Sequence, residues 1–207
     1  MKALIIVDMQ NDFMPGGPLA VPEADHLVPL INELQKAFEV VVATRDWHPE
    51  GHCSFVSNHS GKSVGAVIKH EGLDQILWPQ HCVQNTSGAE LVDGLDQDRI
   101  NKVFDKGVDA DIDSYSAFYD NGHRRATGLG DYLKDKGVDE VFIVGVATDV
   151  CIKFTAIDAA RDGFISYVLQ DGVRGVELQD GDVEKAFDEM RKNGIRIMQS
   201  AELVRFA

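Results

Sequence analysis

The chain of 207 residues is long enough for one well-packed α/β domain and short for two, and its hydrophobic share of 44% is ordinary for a globular protein. Its formal net charge of -14 argues against nucleic acid and anionic membranes as partners, because both require basic surfaces. Three cysteines are too few for a disulfide framework, and the first apolar run is too short for a signal or spanning segment, so we expect a cytoplasmic protein.

Apolar runs alternate with amphipathic segments along the chain. The runs predict six strands, at residues 3–7, 39–44, 99–105, 141–146, 166–170 and 195–198. Helical spacing of apolar residues predicts four helices, at residues 27–38 and 129–133, after residue 151, and at residues 183–190. This alternation predicts an α/β fold with a doubly wound, six-stranded parallel sheet and helices on both faces, as a single domain over residues 1–207.

A long segment from about residue 46 to residue 88 shows no convincing periodicity. It contains five of the seven histidines, together with several prolines and glycines. A long irregular segment inside a compact domain is usually functional. We therefore predict a functional loop region there.

The strongest catalytic candidate is Cys151. The buried run before it stops at Gly145, and Thr148 or Asp149 could cap a helix, so Cys151 is predicted in the first helical turn beyond a strand. In that position the helix N–H groups and dipole favour a thiolate and can face a developing oxyanion. The alternative is that Cys151 is a small buried hydrophobe, the commoner role of an isolated cysteine.

Two further candidates lie at the ends of predicted strands. Asp8 follows the first strand and Lys106 follows the third. The carboxyl ends of parallel strands share one edge of the sheet, where α/β proteins bind their ligands. An acid, an amine and the thiol of Cys151 at that edge suit acyl transfer through a covalent intermediate. Taken singly, Asp8 could be a cap or an arginine partner, and Lys106 a solvated lysine.

A metal site is predicted from Asp46, His48 and His81. Residues two apart in an extended segment point the same way, so Asp46 and His48 can face one ion, and His81 lies in the same loop region. One carboxylate and two imidazoles suit a borderline divalent metal. His52 is left open as a fourth ligand or a supporting hydrogen-bond partner, and surface histidines are the alternative for the whole set.

Beyond these patterns, the chain resembles the nicotinamidases (pyrazinamidases) of the isochorismatase-like hydrolases over essentially its full length. The matching segments are LIIVDMQNDF at 4–13, TRDWHPEGHCSF at 44–55, WPQHCV at 78–83, KG at 106–107, YSAF at 115–118 and GVATDVCIKFT at 145–155. The resemblance implies the isochorismatase-like hydrolase fold. One departure is Val150, where many members carry an aromatic residue or histidine.

The resemblance also implies a role for each candidate residue. The implied catalytic triad is Asp8, Lys106 and Cys151, and the implied metal ligands are Asp46, His48 and His81. The implied walls around the substrate ring are Phe13, Trp78 and Tyr115. It further implies a cis peptide near Val146–Ala147, with the amides of Ala147 and Cys151 forming an oxyanion hole.

The reaction that the resemblance implies is metal-dependent hydrolysis of nicotinamide to nicotinate and ammonia, in NAD salvage, with pyrazinamide as a related substrate. The expected cofactor is one divalent ion, zinc first, with iron and manganese as alternatives. A homo-oligomer is compatible with the sequence. Two rival hypotheses are a cysteine amidohydrolase for another carbamoyl or ureido compound, and a non-catalytic metal- or redox-responsive protein. Isochorismatase activity is disfavoured, because that reaction needs neither the cysteine nor the metal.

Overall fold

Strands and helices alternate along the chain, as the apolar periodicity predicted. The structure is a computed structural model that describes residues 1–206. Ala207, the last residue of the predicted domain, lies outside the described residues. The strands are β1 (Lys2–Val7), β2 (Val40–Asp46), β3 (Val67–His70), β4 (Leu73–Ile76), β5 (Lys102–Lys106), β6 (Glu140–Val146), β7 (Ile165–Arg174) and β8 (Arg196–Met198). The α-helices are α1 (Leu27–Gln35), α2 (Leu129–Asp135), α3 (Lys153–Arg161) and α4 (Asp182–Lys192).

Six of these strands form one parallel sheet in the order β5-β2-β1-β6-β7-β8. The chain winds outward from β1 in one direction through β2 and β5, then in the other through β6, β7 and β8, which confirms the predicted doubly wound α/β fold. In register, Asp46 lies opposite Lys106 and Val7 lies opposite Gly145. The carboxyl ends of β5, β2, β1 and β6 therefore meet at one edge of the sheet.

Apolar layers cover both faces of the sheet. On β1, Ala3, Ile5 and Val7 pack toward α2, α3 and α4, whereas Leu4 and Ile6 pack toward α1 and the loop segments beside it. This alternation explains why β1 is an unbroken apolar run, since each of its faces is buried. None of the helices in residues 1–206 has both the length and the apolar character that crossing a membrane requires.

The predicted loop region contains an element that the sequence pattern missed. Strands β3 and β4 pair as an antiparallel hairpin separate from the main sheet. Each strand has only four residues, and most of their side chains are exposed or half-buried. Such short, exposed strands do not show the alternation of apolar residues that predicts a strand. The third predicted strand also begins later, at Lys102, because residues 97–99 form a 3₁₀ turn.

The local structure around Cys151 differs from the prediction. Residues Thr148–Ile152 form a π-helical turn, and α3 begins only at Lys153. Neither Thr148 nor Asp149 caps this turn with its side chain. The carboxylate of Asp149 instead accepts hydrogen bonds from two backbone amides that follow β7, where the sheet ladder no longer supplies acceptors. The predicted capping role was therefore wrong.

Candidate active site

A cavity opens at the carboxyl edge of the sheet, with a free volume of about 380 Å³ counting its mouth. The residues predicted to contact substrate all line it, namely Phe13, Trp78, Tyr115 and Ala147. So do Cys151 and the three predicted metal ligands. The peptide bond between Val146 and Ala147 is cis, as the resemblance implied.

Lys106 is the centre of a group of buried polar side chains, of which Asp46 and Cys151 line the cavity while Asp8 and Lys106 lie behind them. Its side chain is fully buried, and its Nζ lies 2.9 Å from Asp8 Oδ2 and 3.4 Å from Cys151 Sγ. The same Nζ donates hydrogen bonds to Asp46 Oδ1 and, at 3.0 Å, to the carbonyl oxygen of Ser114. The ammonium group at the end of β5 thus contacts both carboxylates and the thiol, which lie at or beyond the ends of β1, β2 and β6.

The two carboxylate oxygens of Asp8 have different neighbours. Thr44 Oγ1 donates a hydrogen bond of 2.7 Å to Asp8 Oδ1. Oδ2 forms an ion pair with Lys106. Among the described residues, it accepts no hydrogen bond of good geometry. Burial raises the pKa of Asp8 although the Lys106 charge opposes this. Asp8 Oδ2 is therefore available to receive a proton.

The thiol of Cys151 is neutral in this environment. Burial raises its pKa well above the ordinary cysteine value, and the nearby carboxylates of Asp8 and Asp46 add to the effect, while Lys106 counteracts it. The sequence argument that a helix start favours a thiolate was incomplete, because it could not include these buried carboxylates. Deprotonation of Cys151 therefore needs a base, and Asp8 is adjacent.

Asp46 connects this group to a cluster of histidines. Its Oδ1 faces Lys106, while its Oδ2 lies 3.6 Å from His48 Nε2 and 3.7 Å from His81 Nε2. Burial by itself would raise the pKa of Asp46, but the charge of Lys106 and the adjacent His48 outweigh it and hold this pKa well below its usual value. Asp46 therefore stays ionised at pH values where an ordinary aspartate would take up a proton.

The three predicted metal ligands form a set that fits a divalent ion. Ligand atoms of Asp46, His48 and His81 all lie within 4.8 Å of one another, and all three residues are buried. His48 Nδ1 lies 2.8 Å from the carbonyl oxygen of Gly107, and His81 Nδ1 lies 2.7 Å from that of Pro79. Each Nδ1 donates to a carbonyl, so the rings are oriented with Nε2 toward the Asp46 carboxylate, as metal-binding histidines are.

His52 lies beside this set without joining it. Its ring stacks on His48 with centroids 4.1 Å apart, and its Nδ1 is hydrogen-bonded to Ser54 Oγ at 2.7 Å. Its buried Nε2 has no hydrogen-bond partner among the described residues. The potential ligand atoms of His52 lie instead within 4.8 Å of those of His48 and Asp113. Burial and the neighbouring His48 lower its pKa to about 4, so the ring is neutral at neutral pH.

The formal charges of the site also favour a cation. Asp8, Asp46 and Asp113 are buried carboxylates, and Lys106 is the buried cation that contacts two of them. Three carboxyl groups against one ammonium group favour a bound cation at this site. This balance supports a metal at Asp46, His48 and His81 and does not identify the element.

The aromatic walls are held by a hydrogen-bonded network from the hairpin. Gln75, on β4, donates through Nε2 to Asp113 Oδ2 at 3.0 Å and to the hydroxyl of Tyr115 at 3.4 Å. Trp78 also reaches that hydroxyl, and burial raises the pKa of Tyr115. The hairpin that sequence patterns missed therefore holds one of the three predicted walls, Tyr115, whose hydroxyl in turn contacts Trp78.

Comparisons with known proteins identify the family of this chain. The family model described as "Isochorismatase domain" matches residues 2–202. The chain belongs to the isochorismatase domain family. A nicotinamidase of Acinetobacter baylyi is 45% identical over 202 residues, which cover 98% of this chain and 94% of that protein.

Two solved structures of isochorismatase-family relatives carry bound groups. The yeast nicotinamidase bound to the inhibitor nicotinaldehyde superposes with a TM-score of 0.91 at 39% identity, covering 97% of this chain and 100% of that one. A pyrazinamidase of Pyrococcus horikoshii in complex with zinc gives a TM-score of 0.77 at 42% identity, covering 96% and 98%. The resemblance stated from sequence motifs is confirmed at the level of the family.

Three lining residues of this isochorismatase-family site were missed by sequence reasoning, namely Leu19, Asp113 and Val176. Val176 follows the carboxyl end of β7, so the strand-end rule could have found it once β7 was extended to Arg174. Leu19 and Asp113 lie in irregular segments and carry no periodic signal. Val150, noted only as a departure from the family pattern, also lines the cavity.

Proposed function

We propose that this protein is a nicotinamidase that hydrolyses nicotinamide to nicotinate and ammonia through a thioester on Cys151. The observation that carries the proposal is the contact of Lys106 Nζ with Asp8, Asp46 and Cys151 at the base of a cavity walled by aromatic rings. The 45% identity to a nicotinamidase and the likeness to a structure that holds nicotinaldehyde support the same substrate class.

In the first half of the reaction, Asp8 takes the thiol proton as Cys151 Sγ attacks the carboxamide carbon. The C–S bond forms and the carbonyl oxygen becomes an oxyanion, for which we assign the backbone amides of Ala147 and Cys151 as donors. Each such donor stabilises a transition state by on the order of 3 kcal/mol. The intermediate then expels the amide nitrogen, which takes the proton from Asp8 and leaves as ammonia.

In the second half, water attacks the thioester carbon while Asp8 accepts one of its protons. The C–S bond breaks, the proton on Asp8 returns to sulfur, and the product acid gives its remaining proton to solvent and leaves as nicotinate. Lys106 keeps its charge throughout, because the neighbouring carboxylates raise its pKa well above the ordinary lysine value despite burial. Its role is to hold Asp8 and Cys151 together and to balance the charge that moves between them.

The residues that would hold the metal are Asp46, His48 and His81, and we propose zinc because a similar structure is described in complex with zinc. A bound divalent ion supplies a Lewis acid that can anchor the ring nitrogen of the substrate or polarise water. Phe13, Trp78 and Tyr115 would border the flat ring, where burial contributes roughly 25 cal/mol per Å² of apolar surface.

The deciding experiment is a coupled ammonia assay with nicotinamide. The wild-type protein is expected to release ammonia, whereas Cys151→Ala and Cys151→Ser are expected to release none while keeping the wild-type circular dichroism spectrum. Near-normal turnover by either variant would rule out the covalent route. Turnover only of carbamoyl or ureido compounds would favour the first rival hypothesis, and no ammonia from any amide would favour the non-catalytic one.

We place this reaction in the cytoplasm, in NAD salvage, and treat the chain as one catalytic domain. The free cysteines Cys53, Cys82 and Cys151 agree with a reducing compartment. The main sheet draws its strands from residues 2 to 198, which supports a single folding unit. A homo-oligomer stays a prediction, checked by light scattering of the purified protein.

A further inference from the structure

Asp149 makes contacts that the proposed reaction does not use. It lies two residues before Cys151, in the π-helical turn that carries the nucleophile. Its Oδ1 accepts a hydrogen bond from the Val176 amide at 3.0 Å, and its Oδ2 accepts one from the Glu177 amide at 2.8 Å. One carboxylate therefore ties the nucleophile turn to the segment that follows β7.

That segment forms part of the cavity wall. Val176 lines the cavity together with Leu19 and Val150, and Val150 is the residue between Asp149 and Cys151. These three side chains give the site an aliphatic wall in addition to its three aromatic residues. The placement of Val176 thus depends on a carboxylate outside the reacting groups.

The segment is also closely packed on its other side. A Cβ added to Gly175 would lie 2.2 Å from Val183 Cγ2 on α4 and 3.0 Å from Asp149 Oδ1. Glu177 has a positive φ of 52°, a backbone conformation that a non-glycine residue adopts only when its surroundings hold it. The bonds from Asp149 supply such a restraint at the amides of Val176 and Glu177.

We propose that Asp149 is a positioning residue that fixes Val176 in the cavity wall and thereby sets the affinity for the substrate ring. This inference rests on the proposed function. Without the carboxylate, the amides of Val176 and Glu177 form hydrogen bonds with water instead, and the segment shifts. Val176 then no longer packs against the substrate ring. The groups that perform the chemistry are not touched, so binding changes more than turnover.

The test is a double-mutant cycle between Asp149→Ala and Val176→Ala, read as KM and kcat for nicotinamide. Each single substitution is expected to raise KM by about tenfold and to change kcat by less than about threefold, the signature of lost uniform binding. In the Val176→Ala background, Asp149→Ala is expected to raise KM less than about twofold further, because residues acting through one contact are not additive.

A matched control is Asp171→Ala. Asp171 likewise accepts a backbone hydrogen bond, from the Ser200 amide at 2.8 Å, but it does not line the cavity. This variant is expected to keep the wild-type KM and kcat. Asp149→Asn retains one acceptor and should give an intermediate KM, and it replaces the alanine variant should that one fail to fold.

Hydrogen exchange provides a readout that does not depend on activity. The amides of Val176 and Glu177 are expected to exchange faster in Asp149→Ala and to stay at the wild-type rate in Asp171→Ala. Unchanged exchange at these amides, or effects on KM that multiply in the double mutant, would overturn the inference even if the wild-type protein hydrolyses nicotinamide. Absence of nicotinamide hydrolysis by the wild type would overturn the proposed function and this inference with it.

Discussion

Lys106 shows how burial and pairing decide the state of each reacting group. A fully buried lysine is stable only when its charge is matched, and here two carboxylates and a carbonyl oxygen surround Nζ. Burial raises the pKa of the Cys151 thiol and the same carboxylates add to this, so the site favours the neutral thiol. In the proposed reaction, the proton on sulfur is the one that Asp8 removes.

The raised pKa of Asp8 predicts the acid limb of the pH profile. Asp8 must be deprotonated to accept the thiol proton, so kcat/KM falls as the pH drops through the pKa of Asp8. Since burial moves this pKa upward, the midpoint of the limb is expected above the ordinary value of 3.8. The measurement is kcat/KM for nicotinamide against pH, with the metal content determined at each point. A midpoint at or below 3.8 with metal retained would contradict the assignment of Asp8 as base.

His48 and His52 offer a matched pair for testing the metal ligands. Their rings stack on each other, yet only His48 groups with Asp46 and His81. His48→Ala is therefore expected to lose most of its bound metal and to raise the apparent KM, whereas His52→Ala keeps near wild-type metal content. Elemental analysis of the purified variants measures this. Full metal in His48→Ala would remove that residue from the ligand set.

Gly107, the residue that follows strand β5, positions the proposed metal ligand His48. Gly107 has a positive φ of 62°, and a Cβ there would lie 2.3 Å from His48 Cε1. The carbonyl oxygen of the same residue accepts from His48 Nδ1. The end of β5 therefore needs glycine both for its backbone conformation and for the room that the imidazole occupies.

Substitution of Gly107 should therefore weaken metal binding. Gly107→Ala is expected to lower metal affinity by about tenfold to a hundredfold, the range for groups that orient a ligand. Gly137 provides the control, since its φ is 70° and a Cβ there would meet nothing within 4 Å. Gly137→Ala should lose some stability to backbone strain and keep its metal affinity. Competition titration with a chromogenic chelator compares the two variants, and equal affinities would show that the imidazole tolerates the added methyl group.

The chain as a whole combines a strongly acidic composition with an acidic site. The net charge of -14 gives no attraction to anionic partners, and three of the carboxylates lie buried at the cavity with one lysine between them. A divalent cation bound there would bind the folded state and not the unfolded one. Its binding would then stabilise the fold.

Removal of the metal is accordingly expected to lower thermal stability. Ligand present at a hundred times its Kd stabilises by about 2.7 kcal/mol, which for a chain of this length corresponds to roughly 5 to 10 °C in Tm. The measurement is the melting temperature before and after chelation, and after zinc is restored. His48→Ala serves as the control and should melt at the same temperature with and without chelator. An unchanged Tm in the wild-type protein would argue against a metal coupled to folding.

Local sequence patterns predicted the strands of the main sheet, but they did not predict the hairpin or the contacts of Asp149. The run Val141–Val144 could be read as a buried strand because every one of its side chains is apolar. The hairpin of β3 and β4 could not be read, because its strands are short and largely exposed. Thr148 or Asp149 was predicted to cap a helix because capping is a local signal, whereas the hydrogen-bond partners of the Asp149 side chain lie 27 and 28 residues away.

The amino-acid sequence alone determined the α/β class, the strand ends that carry Asp8, Asp46, Lys106 and Cys151, and the family. These follow from short-range periodicity and from motifs that are continuous in the chain. Only the tertiary structure decided that Asp46 joins the lysine to the histidines, that His52 stands apart, and that Asp149 holds Val176. Such contacts join residues distant in the chain, and burial shifts their pKa values through charges that no local pattern contains.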